Sequence, residues 1–402
     1  MNRKSIAFIG TPDYPIPAVK GGAIQTLVTA LIDQNEKEQN YDITVYTIAD
    51  PELNNKKYSF TKLCGIDVSV FGKVRLVFRK VLRRLTNNYI SYKSEYMSKV
   101  NKELLENNFD YVIFETTDKE IVQLDPLVKQ KSKVLYHIHA DYISDSIDRI
   151  ERIAELVDVF IGVSDFISSR LKEVTVLSAS KVVTLKNAIA EPQITNEQKI
   201  LWREKIREQY GLSCTDTVFI YCSRLSPEKG CLELEKALVK LGPSAKLLVV
   251  GGENFSSNKK TKYITQLKKV ADQNEGRIVF TGAVSHDEVI KYMSAADIAV
   301  VPSVCNEASS LTVLEFRACG LPTIATKIGG IPEVVNPDTS VLVEYGPKFV
   351  EELAAAMDNV INNKTYLESL QHGSSKNMSQ FFYRKYYQNF VELLNKIEQG
   401  EY

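Results

Sequence analysis

The sequence has few of the residues that build disulfide frameworks or zinc sites. Its six cysteines are scattered over 402 residues without a Cys-x-x-Cys pair, and its four histidines do not stand at zinc-ligand intervals from them. The dinucleotide-binding pattern Gly-x-Gly-x-x-Gly and the P-loop pattern are both missing. We therefore expect a reduced, cytoplasmic protein without a structural metal.

Long apolar runs and an excess charge of one sign are missing as well. No stretch approaches the ~18 apolar residues of a membrane span, and the first apolar run soon reaches Asp13, so a signal peptide is not expected. Basic and acidic residues balance at 50 each, which argues against a protein that binds nucleic acid or membrane over its whole surface. A content of 44% hydrophobic residues excludes a disordered chain.

Short apolar, β-branched runs alternate with longer amphipathic stretches along nearly the whole chain. Runs that are apolar throughout are typical of parallel strands buried on both faces. The sequence therefore predicts an α/β protein with two doubly wound parallel-sheet domains, which divide near residues 190–195, and a last helix over 384–398. The predicted strands cover residues 5–10, 42–48, 111–116, 133–139, 157–164 and 182–187 in the first domain, and 217–224, 246–252, 277–282, 298–303, 322–326 and 340–345 in the second.

The most specific motif lies in the segment 306–335 and contains two glutamates eight positions apart. Glu307 follows a predicted strand, and Glu315 lies inside the helix that comes next. Ser309 or Ser310 could cap that helix, whose free amide groups would face an anion. Two carboxylates at such a point suit a polyol, because a carboxylate accepts several hydroxyl hydrogen bonds. The alternative is a capping acid and a surface glutamate without a ligand.

A second motif follows the first strand of the second domain. Arg224 and Lys229 stand in a loop at the end of that strand, and Gly230 opens the next helix. Two cations beside the start of a helix suit a diphosphate, and each charged hydrogen bond contributes ~1.5–3 kcal/mol. The alternative is a solvated basic loop.

Three weaker signals belong to other strand ends. Gly21 and Gly22 would let a phosphate or sugar approach the backbone closely, although a pair of glycines is more often structural. His137 and His139 share one face of an extended segment, where a lone histidine is usually a packed core residue. Val284 lies in a strand–turn–helix segment, 280–303, that is suited to frame a base.

These motifs together resemble family-4 retaining glycosyltransferases, including their spore-coat and capsule-type members. The glutamate pair matches the family's E-x7-E signature, residues 224–230 match its R-x4-K-G pattern, and residues 16–27 resemble its first glycine loop. The resemblance implies the GT-B fold, with two facing Rossmann-like domains and an interdomain cleft. Residues 1–190 would form the N-terminal acceptor domain, 191–383 the C-terminal nucleotide-sugar domain, and 384–402 a C-terminal helix that could pack back on the first domain.

The resemblance also assigns roles to the residues of the second domain. Glu307 would contact hydroxyls of the donor sugar, and Glu315 would hold the nucleotide ribose. Arg224 and Lys229 would bind the diphosphate, and Val284 would meet the base through its backbone. The loop and first helical turn after Glu307 would complete the donor site; its residues are Ser309, Ser310, Leu311 and Thr312.

In the first domain, the resemblance places His139 near the reacting sugar and turns Gly21 and Gly22 toward the donor phosphates. The implied catalytic set is therefore His139, Glu307, Arg224 and Lys229. No two aspartates are separated by a single residue in this chain, so we expect the two cations to neutralise the leaving diphosphate without a metal or other cofactor.

The implied reaction is a front-face, retaining transfer from a nucleotide-diphosphate sugar to a hydroxyl group. A UDP-sugar is the expected donor, and a glycan or lipid-linked molecule in cell-surface polysaccharide synthesis is the expected acceptor. Two alternatives stay open. One is a nucleotide-sugar hydrolase or epimerase of the same fold, and the other is a non-catalytic coat or scaffold protein.

One basic stretch departs from the overall balance of charge. Between residues 60 and 100 nine basic residues face two acidic ones, and residues 72–85 interleave cations with apolar side chains. This pattern is typical of an amphipathic helix on an anionic membrane surface, which would place the protein peripherally at the inner face of the cell membrane. A packed helix with a solvated basic face is the alternative. Nucleic acid is not expected, because no aromatic stacking platform accompanies the cations.

Overall fold

The computed structural model describes residues 3–68, 94–147, 149–252, 261–336 and 338–402. The chain divides into two compact units: unit 1 comprises Met1–Asn187 and Tyr383–Tyr402, and unit 2 comprises Ala188–Phe382. The sequence-based domain limits were 190/191 and 383/384. The basic stretch 72–85 lies outside the described residues.

Unit 1 is built on a seven-stranded sheet in the order β3-β2-β1-β4-β5-β6-β7, and every pairing in it is parallel. Its strands are β1 (Lys4–Ile9), β2 (Tyr41–Ile48), β3 (Thr61–Ile66), β4 (Tyr111–Phe114), β5 (Lys133–Ile138), β6 (Val159–Gly162) and β7 (Val182–Thr184). Six of these strands overlap predicted ones. The edge strand β3 was not predicted, and it pairs with β2 alone among the described strands.

Helices connect these strands and cover the sheet. They are α1 (Ala23–Glu38), α2 (Glu95–Glu106), α3 (Asp118–Ile121), α4 (Pro126–Lys129), α5 (Ile150–Leu156) and α6 (Asp165–Lys172). The four residues of β4 and of β6 are all buried, as expected for strands that helices cover on both faces.

Unit 2 repeats this architecture with a six-stranded parallel sheet in the order β10-β9-β8-β11-β12-β13. Its strands are β8 (Thr217–Cys222), β9 (Ala245–Val250), β10 (Ile278–Gly282), β11 (Ile298–Val301), β12 (Thr323–Thr326) and β13 (Ser340–Val343), and all six overlap predicted strands. Its helices are α7 (Asn196–Gln209), α8 (Cys231–Leu238), α9 (Lys262–Asp272), α10 (His286–Ala295), α11 (Leu311–Ala318), α12 (Ile331–Val334), α13 (Phe349–Asn362) and α14 (Lys364–Gly373).

The sheet of unit 2 separates two hydrophobic core clusters. One contains Val218 and Ile220 of β8, and the other contains Phe219 and Tyr221 of the same strand. Successive side chains of a strand point to opposite faces of its sheet, so this division means that both faces are packed. The predicted fold class of two doubly wound parallel-sheet units is confirmed.

The last helix, α15 (Tyr383–Glu398), belongs to unit 1. Its Phe390 stacks on Phe8 of β1 with ring centroids 6.1 Å apart. Its Tyr387 donates a hydrogen bond of 2.7 Å to the Asn35 side chain of α1. The helix is therefore an integral part of the packing around the first sheet.

Each sheet has one point at which the strand order reverses. In unit 1 this point lies between β1 and β4, and in unit 2 it lies between β8 and β11. Ligands of open parallel sheets bind beyond the carboxyl ends of the strands at such a point, because the flanking loops leave in opposite directions and open a crevice. The helices in the described part of the chain include none that is both long enough and apolar enough to cross a bilayer.

Candidate active site

The strand-order reversal of unit 2 carries a partly buried ion pair between two predicted site residues. The Lys229 ammonium lies 2.6 Å from Oε1 of Glu307, and the same oxygen accepts a hydrogen bond of 2.7 Å from the Ser303 hydroxyl. Only 19% of the Lys229 side chain and 15% of the Glu307 side chain are exposed. Lys229 follows β8 and Glu307 follows β11, so the pair joins the carboxyl ends of two neighbouring strands.

Glycine makes the lysine side of this pair possible. Lys229 ends a short 3-10 turn, Pro227–Lys229, and Gly230 follows it with a φ of 69°. A Cβ atom on Gly230 would lie 1.8 Å from the Pro302 carbonyl oxygen, which belongs to the loop after β11. The two loops can approach this closely only because residue 230 has no side chain.

A second close approach holds Glu307. The Gly330 amide donates a hydrogen bond of 2.7 Å to the Glu307 carbonyl, and a Cβ atom on Gly329 would lie 2.4 Å from that oxygen. The Val304 amide donates to the Glu228 carbonyl at 3.0 Å. Backbone contacts from two sides therefore set the position of the Glu307 carboxylate.

Arg224 stands at the same edge but is more open. Its guanidinium is 43% exposed and lies 3.6 Å from the Glu228 carboxylate. The buried Tyr221 hydroxyl donates a hydrogen bond of 2.8 Å to the Arg224 carbonyl, which anchors the backbone at the end of β8. Since its partner is an exposed carboxylate, the guanidinium can turn to an anionic ligand at small cost.

The first turn of α11 follows Glu307 directly. Ser310 is the N-cap of this helix, and its hydroxyl accepts a hydrogen bond of 3.4 Å from the Val313 amide. Ser309, Leu311 and Thr312 are partly buried around this helix start. The uncapped amides of the first turn carry partial positive charge and suit an anionic or hydroxyl-rich ligand.

Glu315 lies one turn further along α11. Burial raises the pKa of its carboxyl above the ordinary value, and His286, whose Nε2 lies 3.6 Å away, offsets this rise only in part. Val284 precedes α10 and packs against the first core cluster of unit 2. The structure thus places the acid and the predicted base-binding residue beside the same helix pair, α10 and α11.

The remaining predicted residues belong to unit 1. Gly21 and Gly22 have φ angles of 75° and 103° and lead into α1 after the loop that follows β1. His139 follows β5, and its Nε2 lies 2.6 Å from the carboxylate of Glu115. The roles that the resemblance gives these three residues stay predictions.

The sequence analysis missed Glu115, which the structure places between both histidines. The other carboxylate oxygen of Glu115 lies 3.1 Å from Nδ1 of His137, and the two imidazole centroids are 4.2 Å apart. Glu115 extends β4 by one residue beyond Phe114, which pairs with Tyr136, so its neighbour across the sheet is His137. The sequence did contain a signal for this cluster: an acidic residue at the end of one predicted strand, followed by a His-x-His pattern at the end of the next.

Among the described residues, Glu115, His137 and His139 are the one group of side chains close enough to share a metal ion, with ligand atoms within 4.8 Å of one another. The two nitrogen–oxygen distances are nevertheless those of direct hydrogen bonds. Burial alone would raise the pKa of the Glu115 carboxyl, but the two imidazoles hold that pKa below its ordinary value. Burial and His137 lower the pKa of His139. An ionised acid that accepts one hydrogen bond from each imidazole explains this geometry.

Comparison with known proteins agrees with the site in unit 2. Residues 202–381 match the family model described as glycosyl transferases group 1. Spore coat protein SA of Bacillus subtilis is 24% identical over 97% of this chain and 99% of its own length. Lipopolysaccharide 1,2-N-acetylglucosaminetransferase of Salmonella typhimurium is 24% identical over 95% of this chain and 94% of its own length.

The fold likewise matches that of solved structures. The crystal structure of Anabaena HepE in complex with UDP and glucose superposes with a TM-score of 0.74 at 20% sequence identity, covering 98% of this chain and 100% of that one. The matched family segment contains Arg224, Lys229, Glu307 and Glu315. Residues 202–381 therefore form a glycosyl transferase group 1 domain, and the chain, which has the GT-B fold, is a glycosyltransferase.

Proposed function

We propose that this glycosyltransferase moves a sugar, with retention of anomeric configuration, from a UDP-sugar to a hydroxyl of a glycan or lipid-linked acceptor in cell-surface polysaccharide synthesis. The observation that carries this proposal is the partly buried Lys229–Glu307 pair at the strand-order reversal of unit 2. Support for uridine comes from HepE, whose complex holds UDP and glucose. Support for the acceptor class comes from the relative named for lipopolysaccharide.

The ion pair suggests how the donor is held. A diphosphate that binds at Lys229 shares the ammonium group with the Glu307 carboxylate. Part of the hydrogen-bonding capacity of the carboxylate is then free, and it can accept hydrogen bonds from hydroxyl groups of the sugar. Arg224 adds a second cation from the exposed side of the same loop. Two charged hydrogen bonds of ~1.5–3 kcal/mol each, strengthened as the diphosphate departs, correspond to about 10²–10⁴ in rate.

In this proposal the acceptor hydroxyl oxygen bonds to the anomeric carbon on the face from which the diphosphate leaves. The bond between the anomeric carbon and the phosphate oxygen breaks, and that oxygen takes the acceptor's proton. We propose that no divalent metal is needed, since Arg224 and Lys229 already balance the developing negative charge. We further propose action at the cytoplasmic side of the membrane, where an activated sugar and a lipid-linked acceptor would meet.

The decisive experiment measures the nucleoside diphosphate that the purified full-length chain releases, which is UDP from a UDP-sugar and GDP from GDP-mannose. A panel of UDP-sugars and GDP-mannose is supplied with and without an extract of cell-envelope glycans and lipids. Acceptor-dependent UDP release supports transfer, and NMR of the product reports whether the anomeric configuration of the donor is retained. Equal release without acceptor would indicate a hydrolase, and no release from any donor would contradict the proposal. Unchanged rates in EDTA would support the metal-free account.

A pair of lysine variants links the activity to the site. Lys229→Ala should lower kcat by at least about tenfold, because it removes one charged hydrogen bond to the diphosphate. Lys327→Ala is the matched control, since Lys327 belongs to the same unit and pairs with Glu344 at 2.7 Å in an exposed position. Equal activity of the two variants would remove Lys229 from the donor site.

A further inference from the structure

The buried cluster of Glu115, His137 and His139 occupies the strand-order reversal of unit 1. Glu115 follows β4, the neighbour of β1 at that point, and both histidines come from the end of β5. The exposed fractions of the three side chains are 1%, 2% and 8% respectively. Three titratable side chains are thus withdrawn from water at the edge of the sheet where a ligand is expected.

The hydrogen bonds determine where each imidazole carries its proton. An ionised carboxylate only accepts hydrogen bonds, so the nitrogen that faces each Glu115 oxygen must be an N–H group. A neutral His139 therefore carries hydrogen on Nε2 and a lone pair on Nδ1. On His137 the nitrogen that faces the carboxylate, and so carries the hydrogen, is Nδ1.

The ring nitrogens that face away from Glu115 have different surroundings. Nε2 of His137 is fully buried and has no hydrogen-bond partner in the described part of the chain. Nδ1 of His139 also lacks a partner among the described residues, but His139 is the more exposed of the two histidines. His139 is therefore the member of the cluster that can offer a hydrogen-bond acceptor to a ligand.

The backbone that carries the Glu115 side chain is anchored on both sides. The Glu115 amide donates a hydrogen bond of 3.0 Å to the Ile9 carbonyl of β1. The next residue, Thr116, accepts at its carbonyl a hydrogen bond of 3.1 Å from the Tyr142 hydroxyl, which also lies 2.8 Å from the Tyr136 hydroxyl. These bonds anchor the backbone at residues 115 and 116, and burial together with the two imidazole contacts limits the movement of the carboxylate.

We propose that Glu115 is a positioning residue: it fixes His139 as the Nε2–H tautomer, so that Nδ1 accepts a hydrogen bond from a substrate hydroxyl during sugar transfer. This inference rests on the proposed function for its substrate. His137 bonds to the second carboxylate oxygen of Glu115. We call the carboxylate with its two hydrogen bonds to His137 and His139 the clamp. Glu115 acts through His139 and does not itself touch the substrate.

Two Glu115 variants separate a hydrogen-bond clamp from a structural role. Glu115→Leu keeps most of the volume but removes both acceptors, so His139 loses its fixed orientation, and kcat should fall about ten- to hundredfold. Glu115→Gln keeps one acceptor oxygen. If that oxygen faces His139, the amide nitrogen faces His137 and forces its proton onto Nε2, while kcat stays within a few-fold of wild type. The UDP dissociation constant should be unchanged in both variants.

Histidine tautomers are read directly from ¹⁵N chemical shifts of the full-length protein labelled with [¹⁵N]histidine. The wild type should show one buried histidine protonated at Nδ1 and one at Nε2, and the His286→Gln and His372→Gln variants identify the other two signals. Glu120→Gln is the matched control. Glu120 is a carboxylate in the same unit that bonds to Thr117, so its replacement should leave both tautomers and kcat unchanged.

Several results would overturn the inference. They are a wild-type His139 that carries its proton on Nδ1, a Glu115→Leu enzyme with wild-type kcat, and a Glu115→Gln enzyme as slow as the Leu variant. Stoichiometric zinc that is bound by the purified protein, and whose removal shifts both histidine signals, would replace the clamp by a metal site. If the tautomers are as expected but no donor yields UDP, the proposed function fails while the positioning of His139 by Glu115 stands.

Discussion

Glu235 offers the most quantitative test of the forces that stabilise unit 2. This residue lies on α8 of unit 2 and is fully buried. Within the described residues, neither of its carboxylate oxygens has a hydrogen-bond partner. Burial raises the pKa of the carboxyl from 4.5 to about 9. The acid is therefore protonated in the folded protein at neutral pH, whereas it is ionised in the unfolded chain.

The sign and size of the effect follow from this difference. Folding above pH 4.5 must return a proton to Glu235, so its contribution to stability is complete below that pH and is lost as the pH rises toward about 9. The loss is about 1.4 kcal/mol per pH unit, or about 4 kcal/mol near pH 7.5. Glu235→Gln removes the titration, so it should raise the free energy of unfolding of unit 2 by up to that amount.

The measurement is urea unfolding of wild type and variant at about pH 5 and about pH 8. The gap between Glu235→Gln and wild type should be small at the lower pH and large at the higher one. Glu233→Gln is the control, because residue 233 lies on the same helix but is partly exposed, and its replacement should leave the wild-type pH dependence in place. A gap that is independent of pH would refute the account of a buried, protonated acid.

Two further substitutions test the packing of unit 2. Gly230→Ala should destabilise unit 2 by about 2–5 kcal/mol and weaken activity, because it places a Cβ atom against the Pro302 carbonyl at a left-handed φ. Thermal unfolding should show no such loss for Gly242→Ala, where the added Cβ has open space; equal losses would contradict the argument. Asp297→Asn should cost about 3–5 kcal/mol, since Asp297 is the carboxylate partner of the buried Arg207 at 2.8 Å. Glu351→Gln, which weakens only the exposed pair with Lys240, should cost less than about 1 kcal/mol in the same assay, and a similar cost for both would argue against a buried ion pair at Asp297.

Most strands could be predicted because parallel strands buried on both faces are recorded in the sequence as continuous apolar runs. The exception, β3, shows the limit of this rule. Its sequence, TKLCGI, contains an exposed lysine and an exposed glycine, and its burial is partial. An edge strand has one hydrogen-bonded neighbour and an open side, so it needs no continuous apolar pattern.

The candidate site, like the fold, could be predicted from the sequence only in part. The Lys229 and Glu307 motifs could be found because each is local: a strand end, a turn glycine and a helix start within a few residues. Their direct pairing could not, because 78 residues separate them and only the adjacency of β8 and β11 brings them together. Glu115 was missed for the same reason, since its relation to the two histidines exists only across neighbouring strands.

The amino-acid pattern alone thus determined the two sheets, their parallel strands and the type of each candidate group, because periodicity and turn chemistry act over short stretches of chain. The tertiary structure decided which charges lie beside one another, which imidazole nitrogens face the Glu115 carboxylate and which acid is buried without a partner among the described residues. These properties depend on distance and on withdrawal from water, and both are settled only when distant strands and helices pack together.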